Sequence, residues 1–419
     1  MSNDDIGRGR RSFLRRAAGA TAGAALLSGC TNIGGNGNGG GGGGDDIRVP
    51  GLYDLSGGTS DVGRPTSIGS RDAITWINEN GDFGRTIDHP WNDYAYEVSQ
   101  ASQYYDEYTS DGDPPLIIGW GTADTEALAQ QVAEDEIVYV SASYSANLLT
   151  EEAPYNFFGN LDYTSQARAH LKWIADNDSG AKIAFIFSNN PFGQAPVEGG
   201  KQYAEELGLE VGPDIDLPLT ANSATSQLRR ARDEEIDYLI HQNTAAPMQV
   251  LLSDREDVYP DVTVCGLTYT VDEFRVQQSP QVFEGARYVN AFRNFQGALD
   301  SGGLGATIIE DSFEREGRSM DNFEVANLNY VRGVIHALLA LNGLQNTVDA
   351  GGDPTSGADV RDGMFDIEDN DMGGLSQPFN YMEGDRRPTM TGRLFEVSDG
   401  SLSFDTTVEL PRREDWIGL

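Results

Sequence analysis

From Asp46 onward the chain alternates short, nearly unbroken apolar runs with longer amphipathic stretches, and that alternation leaves few folds open. "PLIIGW" (115–120), "IVYVSAS" (137–143), "KIAFIFS" (182–188), "IDYLIHQ" (236–242) and "DVTVCGL" (261–267) read as strands. Stretches of helical period separate them, such as "DTEALAQQVAEDE" (124–136) and "APMQVLLSDREDVY" (246–259). A strand without polar alternation is buried on both faces, the condition of a parallel sheet covered by helices. The expectation is an α/β chain. Its units are too many for one modest sheet, and 419 residues suffice for two cores. "RPTSIGSRDAITWINENG" (64–81) reads as a helix closed by Gly81, and "NFEVANLNYVRGVIHALLALNGL" (322–344) as a long one. "TGRLFEVSDGSLSFDTT" (391–407) predicts a hairpin turning at Asp399-Gly400.

Polar turns collect after the strands. Gly119-Trp120-Gly121-Thr122 aims at a helix N-terminus, where the first N–H groups have no intrahelical partner and welcome an anion. The turn lacks G-x-x-x-x-G-K-[ST] and has no lysine near it, which suits a small carboxylate better than a polyphosphate. Thr122 or Asp124 can equally cap its own helix. Ligands of open parallel sheets bind beyond the C-terminal strand ends. The candidate binding set is therefore Trp120, Thr122, Ala123, Asp124, Ser143, Tyr144, Ser145, Phe192, Asn243, Thr244, Thr268 and Tyr269. The rings of Trp120, Tyr144, Phe192 and Tyr269 would wall an apolar body. Nothing points to catalysis. The chain has four histidines and no H-E-x-x-H, C-x-x-C or G-x-S-x-G, so no catalytic residue, metal or cofactor is expected. The acids of Asp362–Asp371 lack EF-hand spacing and read as a solvated loop. Cys265, in an apolar strand, reads as core.

The first thirty residues are not fold. Arg10-Arg11-Ser12-Phe13-Leu14-Arg15 is a twin-arginine export signature, followed by an apolar small-residue stretch and Leu27-Ser28-Gly29-Cys30. The last four resemble a lipobox, in which Cys30 becomes the lipidated first residue of the exported protein. Glycine-rich coil follows, a tether between anchor and folded body. The formal charge is −37, although this leader alone carries five arginines against two aspartates. The remainder holds only three lysines, Lys172, Lys182 and Lys201, and its acids are spread throughout. Such a surface excludes nucleic acid, which needs Lys and Arg clusters. It looks like adaptation to high salt, where self-repulsion is screened and charge maintains solubility.

"AITWINENGDFG", Ile118-Gly119, "VYVSASYS", "PYNFFGNLDYTSQA", Phe192-Gly193 and "GLSQPFN" occur in that order, after Leu55-Ser56-Gly57. Together they resemble the substrate-binding lipoproteins of ABC importers of the branched-chain amino acid (Leu/Ile/Val-binding) type. The resemblance covers nearly all of Asp46–Thr407. It implies the periplasmic-binding-protein type I fold, two Rossmann-like lobes with parallel sheets, joined by three crossovers and closing on a ligand in the cleft. The implied division is 1–30 signal with lipobox, 31–46 tether, 47–162 with 291–376 as one lobe, 163–290 with 377–410 as the other, and 411–419 as a tail. The implied partners are a small-molecule ligand, ABC permease subunits and the outer face of the cytoplasmic membrane. In the family, the turn matching Thr122-Ala123-Asp124 holds the ligand carboxylate. A hydroxyl matching Ser143-Tyr144-Ser145, best Ser145, holds the amino group. Three positions depart from the pattern. Phe192 replaces a tyrosine, Ala123 a serine, and neutral Thr268 the glutamate that pairs the ammonium. Asp124 or Asp162 would then supply the negative charge, or the ligand is an aromatic or aliphatic carboxylate or an amide. A sensor that presents ligand to a signalling partner is the other reading of the same fold. The charge makes one prediction directly: the body should unfold in dilute buffer and fold in molar salt. A cooperative thermal melt without added salt would count against it.

Overall fold

The computed structural model describes residues 46–81 and 83–419. The twin-arginine and lipobox segment, Cys30 and the glycine tether lie outside the described residues. Two sheets form the frame. The first runs in the order Trp91–Asp93, Gly51–Tyr53, Leu116–Gly119, Val138–Ser141, Asn156–Phe158, with all neighbours parallel. The second has Ile215–Asp216, Lys182–Phe187, Tyr238–Gln242, Thr263–Gly266 and Arg287–Asn290 in parallel order. Two antiparallel strands, Thr391–Ser398 and Ser401–Glu409, complete it at the far edge. Between them Asp399 and Gly400 both take positive φ, 51° and 69°, as a two-residue hairpin turn requires.

The parallel strands are apolar on both faces because both are covered. Ile117, Val140, Ile183 and Phe185 are fully buried. Helices Ser60–Asn80 and Leu328–Ala350 shield the first sheet and pack on each other through glycines. A Cβ on Gly333 would lie 2.0 Å from the Thr66 carbonyl oxygen, and one on Gly69 2.1 Å from that of Tyr330. The approach lets Ser70 donate to the Gly333 carbonyl at 3.0 Å. The long helix starts at Leu328, six residues later than its apolar period suggests, because Asn327 caps it by accepting from the N–H groups of Asn329 and Tyr330. Part of the expected acidic loop, up to Phe365, is instead the end of helix Gly357–Phe365. The last residues pack down, with Trp416 buried under the Arg168 guanidinium at 4.2 Å.

The chain passes between the sheets three times: after Phe158, after Asn290, and between Phe365 and Thr391. Asn160, in the first passage, ties itself to the second. Its side-chain carbonyl accepts from Leu161 N at 2.9 Å and Ala291 N at 2.8 Å. Its amide donates to Asn290 Oδ1 at 3.1 Å and Thr268 Oγ1 at 3.0 Å. All these groups are buried, so none has water as a substitute. Asn160→Ala strands several of them at once. The expected loss is about 2–4 kcal/mol of unfolding free energy, from one to three per orphaned group less local relaxation. Denaturant titration checks it, and a loss under about 1 kcal/mol would show that the network is dispensable.

Candidate functional site

The strand Leu116–Gly119 delivers Trp120, Gly121 and Thr122 to the space between the lobes. Gly119 is required because a Cβ there would meet the Tyr139 ring at 2.0 Å. Gly121 is the N-cap of helix Thr122–Glu134, and a Cβ on it would lie 2.3 Å from Asp124 Oδ1. The helix N-terminus already has its anion. Asp124 accepts from Gly121 N at 3.2 Å and from the Tyr94 hydroxyl at 2.8 Å. Burial pushes its carboxyl up to about 6, with these hydrogen bonds pulling in the other direction. Asp124 thus takes the N–H of Gly121, and Thr122 adds a hydroxyl to the wall. Ser143 stands behind it and donates to Thr122 Oγ1 at 3.0 Å.

A second wall comes from the turn after Gly51–Tyr53. Asp54 accepts from Thr59 N at 2.8 Å, Thr59 Oγ1 at 2.7 Å and Gly57 N at 2.5 Å. Thr59 thus held accepts from Trp120 Nε1 at 2.8 Å. The opposite lobe supplies Phe192, Thr244 and Tyr269 from the ends of strands Lys182–Phe187, Tyr238–Gln242 and Thr263–Gly266. Together with Val62, Tyr96, Ala142 and Tyr163 these line about 240 Å³ of space free of protein atoms, part of it open to solvent. The rings stand edge to face: Tyr163–Phe192 at 5.6 Å, Phe192–Tyr269 at 5.8 Å and Trp120–Tyr269 at 6.2 Å between centroids. The Tyr269 hydroxyl crosses the cleft to the Ala142 carbonyl at 2.5 Å, so the two lobes are in contact over the cavity. No charged side chain lies on the wall.

Of the twelve candidates, Trp120, Thr122, Phe192, Thr244 and Tyr269 line this cavity. The rest stand elsewhere. Ala123 is off the wall on the helix, Asp124 is the cap, and Ser143 is one layer back. Tyr144 packs behind Tyr269, nearly parallel to it, and reaches His336 Nε2 at 3.3 Å. Ser145 turns away and donates to Glu126 at 2.6 Å, and Asn243 donates to the Leu217 carbonyl at 2.8 Å. Thr268 is not in the cleft at all. It belongs to the Asn160–Asn290 network and accepts from Arg332 at 3.0 Å. Both stand in the turn after Thr263–Gly266, where Tyr269 takes the cleft position and Thr268 the hinge. Asp162 caps helix Tyr163–Asn177 through Ser165 N at 2.8 Å. Thr59, Val62, Tyr96, Gly121, Ala142 and Tyr163 were not among the candidates. Tyr96 has no readable signal, since it is placed by positive φ at Ala95 and Tyr96. Tyr163 follows directly on the Asp162 cap, and that cap was the usable sign.

No group of three or more His, Cys, Asp or Glu able to hold a metal occurs among the described residues. Burial pushes His89, His170 and His241 down to about 4 and His336 to about 3, and the Cys265 thiol up to about 12. All are held in their neutral forms near neutral pH.

The periplasmic binding protein family model matches residues 46–401, and the chain belongs to that family. No curated protein matches it. Among solved structures it is similar to an ABC transporter substrate-binding protein from Aeropyrum pernix, with 29% identity and TM-score 0.79, covering 89% of this chain and 98% of that one. A branched-chain amino acid ABC transporter protein from Thermus thermophilus with bound valine matches at 21% identity and TM-score 0.79, covering 86% and 95%. A solute-binding protein from R. palustris in complex with benzoate matches at 15% and TM-score 0.73, covering 89% and 99%. The fold is the type I periplasmic-binding-protein arrangement, and the chain is a solute-binding protein of the ABC-transporter kind, for a small ligand. Proteins of this family bind and hand over ligands and are not enzymes. No helix among the described residues is long and apolar enough to cross a membrane.

Asp124 makes the site measurable by pH. Its folded value of about 6 lies above the ordinary 3.8, so the fold favours the neutral acid. That contribution is full below about 4 and is lost as pH rises through about 6, on the order of 3 kcal/mol in all. Asp124→Asn, which keeps an acceptor for Tyr94 and Gly121, should reduce the fall in stability between pH 4 and 6. An unchanged stability–pH profile would show that Asp124 is ionised at no such cost.

Proposed function

We propose that the chain is exported by the twin-arginine route, anchored by a lipid on Cys30, and works outside the cytoplasmic membrane in concentrated salt. There it captures a small solute and delivers it to an ABC permease. The observation that carries the binding role is the ring-walled, uncharged cavity closed between the lobes by Tyr269 on Ala142. The ligand we favour is a branched-chain or other small amino acid. Its ammonium would lie against the face of Trp120, on the first lobe, where a ring quadrupole attracts a cation. Asp54 and Asp124 stand one hydrogen bond behind Thr59 and Gly121, giving that side of the cavity a negative background. The Thr122 hydroxyl accepts from the ammonium on that side, and the Thr244 hydroxyl, on the other lobe, donates to the carboxylate. The valine bound by the Thermus relative supports this reading at the level of the fold.

A second reading is favoured by one observation: no carboxylate reaches the wall to pair an ammonium. An aromatic or aliphatic carboxylate, or an amide, would need none, and the R. palustris relative holds benzoate.

Thermal shift in high salt with L-valine, 3-methylbutanoate, benzoate and urea separates the readings, because ligand stabilises the native state by mass action. Valine should raise Tm more than its deaminated analogue. The reverse order would move the ligand class to carboxylates, and no shift from any small solute would remove the binding role. Within the site, Thr122→Ala should weaken the bound ligand about tenfold, while Ser145→Ala leaves its affinity unchanged. Equal losses in the two variants would refute the assignment of Ser145 outside the wall.

A further inference from the structure

A second concavity, unrelated to the central cavity, opens where the hairpin Thr391–Glu409 meets the chain leaving Asn290. It comprises about 1040 Å³, open to solvent, and spans both lobes, from Phe323 on one side to Phe395 and Phe404 on the other. Two arginines, Arg293 and Arg393, stand in it. In a chain with 66 acidic and 29 basic residues, every lysine and several arginines find a carboxylate, Arg287 two of them. Arg293 and Arg393 find none among the described residues. Arg293 spends its Nε on the Gly374 carbonyl at 2.9 Å and has no further partner among them. Arg393 makes no side-chain hydrogen bond there, and its Nε is buried without a partner. Its guanidinium lies 4.5 Å over the Phe404 ring and 5.7 Å over that of Phe395, which fixes its plane. Burial and, after it, the charge of Arg293 push Arg393 below its ordinary value.

The two acids of this concavity are already engaged. Glu273 accepts from Phe295 N at 2.7 Å and Leu328 N at 2.8 Å, and Asp300 from Gln296 at 2.8 Å. Phe404 remains half exposed beside the unpaired charges. A guanidinium stacked on ring surface, with a second unpaired one in the same concavity, matches a carboxylate carried on an apolar body. We propose that Arg293 and Arg393 form a second binding site, for a small organic acid whose carboxylate meets the two guanidiniums and whose apolar part covers Phe404. The site stands on its own residues, whatever the central cavity holds.

Phenylacetate and its neutral amide, titrated calorimetrically into the full-length protein at constant high ionic strength, test it. Phenylacetate should bind and phenylacetamide should bind at least about tenfold more weakly, the worth of a charge-assisted contact. Arg393→Gln should lose about tenfold or more in phenylacetate affinity, and Arg393→Lys, which keeps the charge where Gln destabilises the hairpin, should retain part of it. Phe192→Ala, in the central cavity, should leave it unchanged. Equal binding of acid and amide, no binding of either, or binding lost in Phe192→Ala and kept in Arg393→Gln would each overturn the proposal. The last would place the acid in the central cavity.

Discussion

The hydrogen bonds of Asn160 are the constraint that the two-lobed arrangement hangs on. One side chain accepts from the backbone of the first passage and from that of the second, and donates to Asn290 and Thr268 of the other lobe. Arg332 extends this network from the long helix of the first lobe by donating to the carbonyl and hydroxyl of Thr268. In a buried setting each lost bond of such a network is costly, so it ties the two passages together and sets how their strand ends face each other. Since Trp120, Gly121, Ala142 and Thr244 stand one or two residues after a strand, fixing the strand ends fixes much of the cavity.

How much of this could be read from sequence depended on how local its cause is. Apolar runs between helical periods identify the parallel sheets, because burial on both faces leaves its mark in every residue of the strand. Trp120, Thr122, Phe192, Thr244 and Tyr269 were findable for the same reason: each lies within a few residues of a strand end. The hairpin turn at Asp399-Gly400 is written in two residues. What failed was direction. Thr268 and Tyr269 differ by one position and face a hinge and a cleft, and Ser145, at the start of a short helical turn, donates to Glu126 instead of facing the cleft. Side-chain direction at a strand end is decided by the loop beyond it, and a loop carries no period to read.

The anion question raised by the Gly119–Thr122 turn has an internal answer in part. Backbone N–H groups at a helix start need an acceptor whether or not a ligand is present, and Asp124 supplies one for Gly121 at the cost of burying a carboxylate. The acid is tolerable because Tyr94 and Gly121 both donate to it. A ligand carboxylate at this turn would therefore meet a negative charge behind Gly121, which the helix dipole offsets only in part.

That arrangement gives the cavity a polarity although its wall carries no charge. Asp54 and Asp124 lie behind the first lobe's wall, through Thr59 and Gly121. Arg332 lies behind the second lobe's wall, its guanidinium 4.1 Å over the Tyr269 ring. Buried charges one layer away act through little water, so their field is screened less than that of the acidic surface. A zwitterion lying across the cleft, ammonium toward the first lobe and carboxylate toward Tyr269, would match both ends of that field. An ammonium-free acid would match only the Arg332 end and would be opposed at the other. On the proposed reading, selectivity between them would rest on buried groups that never touch the ligand, with the two halves of the field brought together where Tyr269 bonds to Ala142.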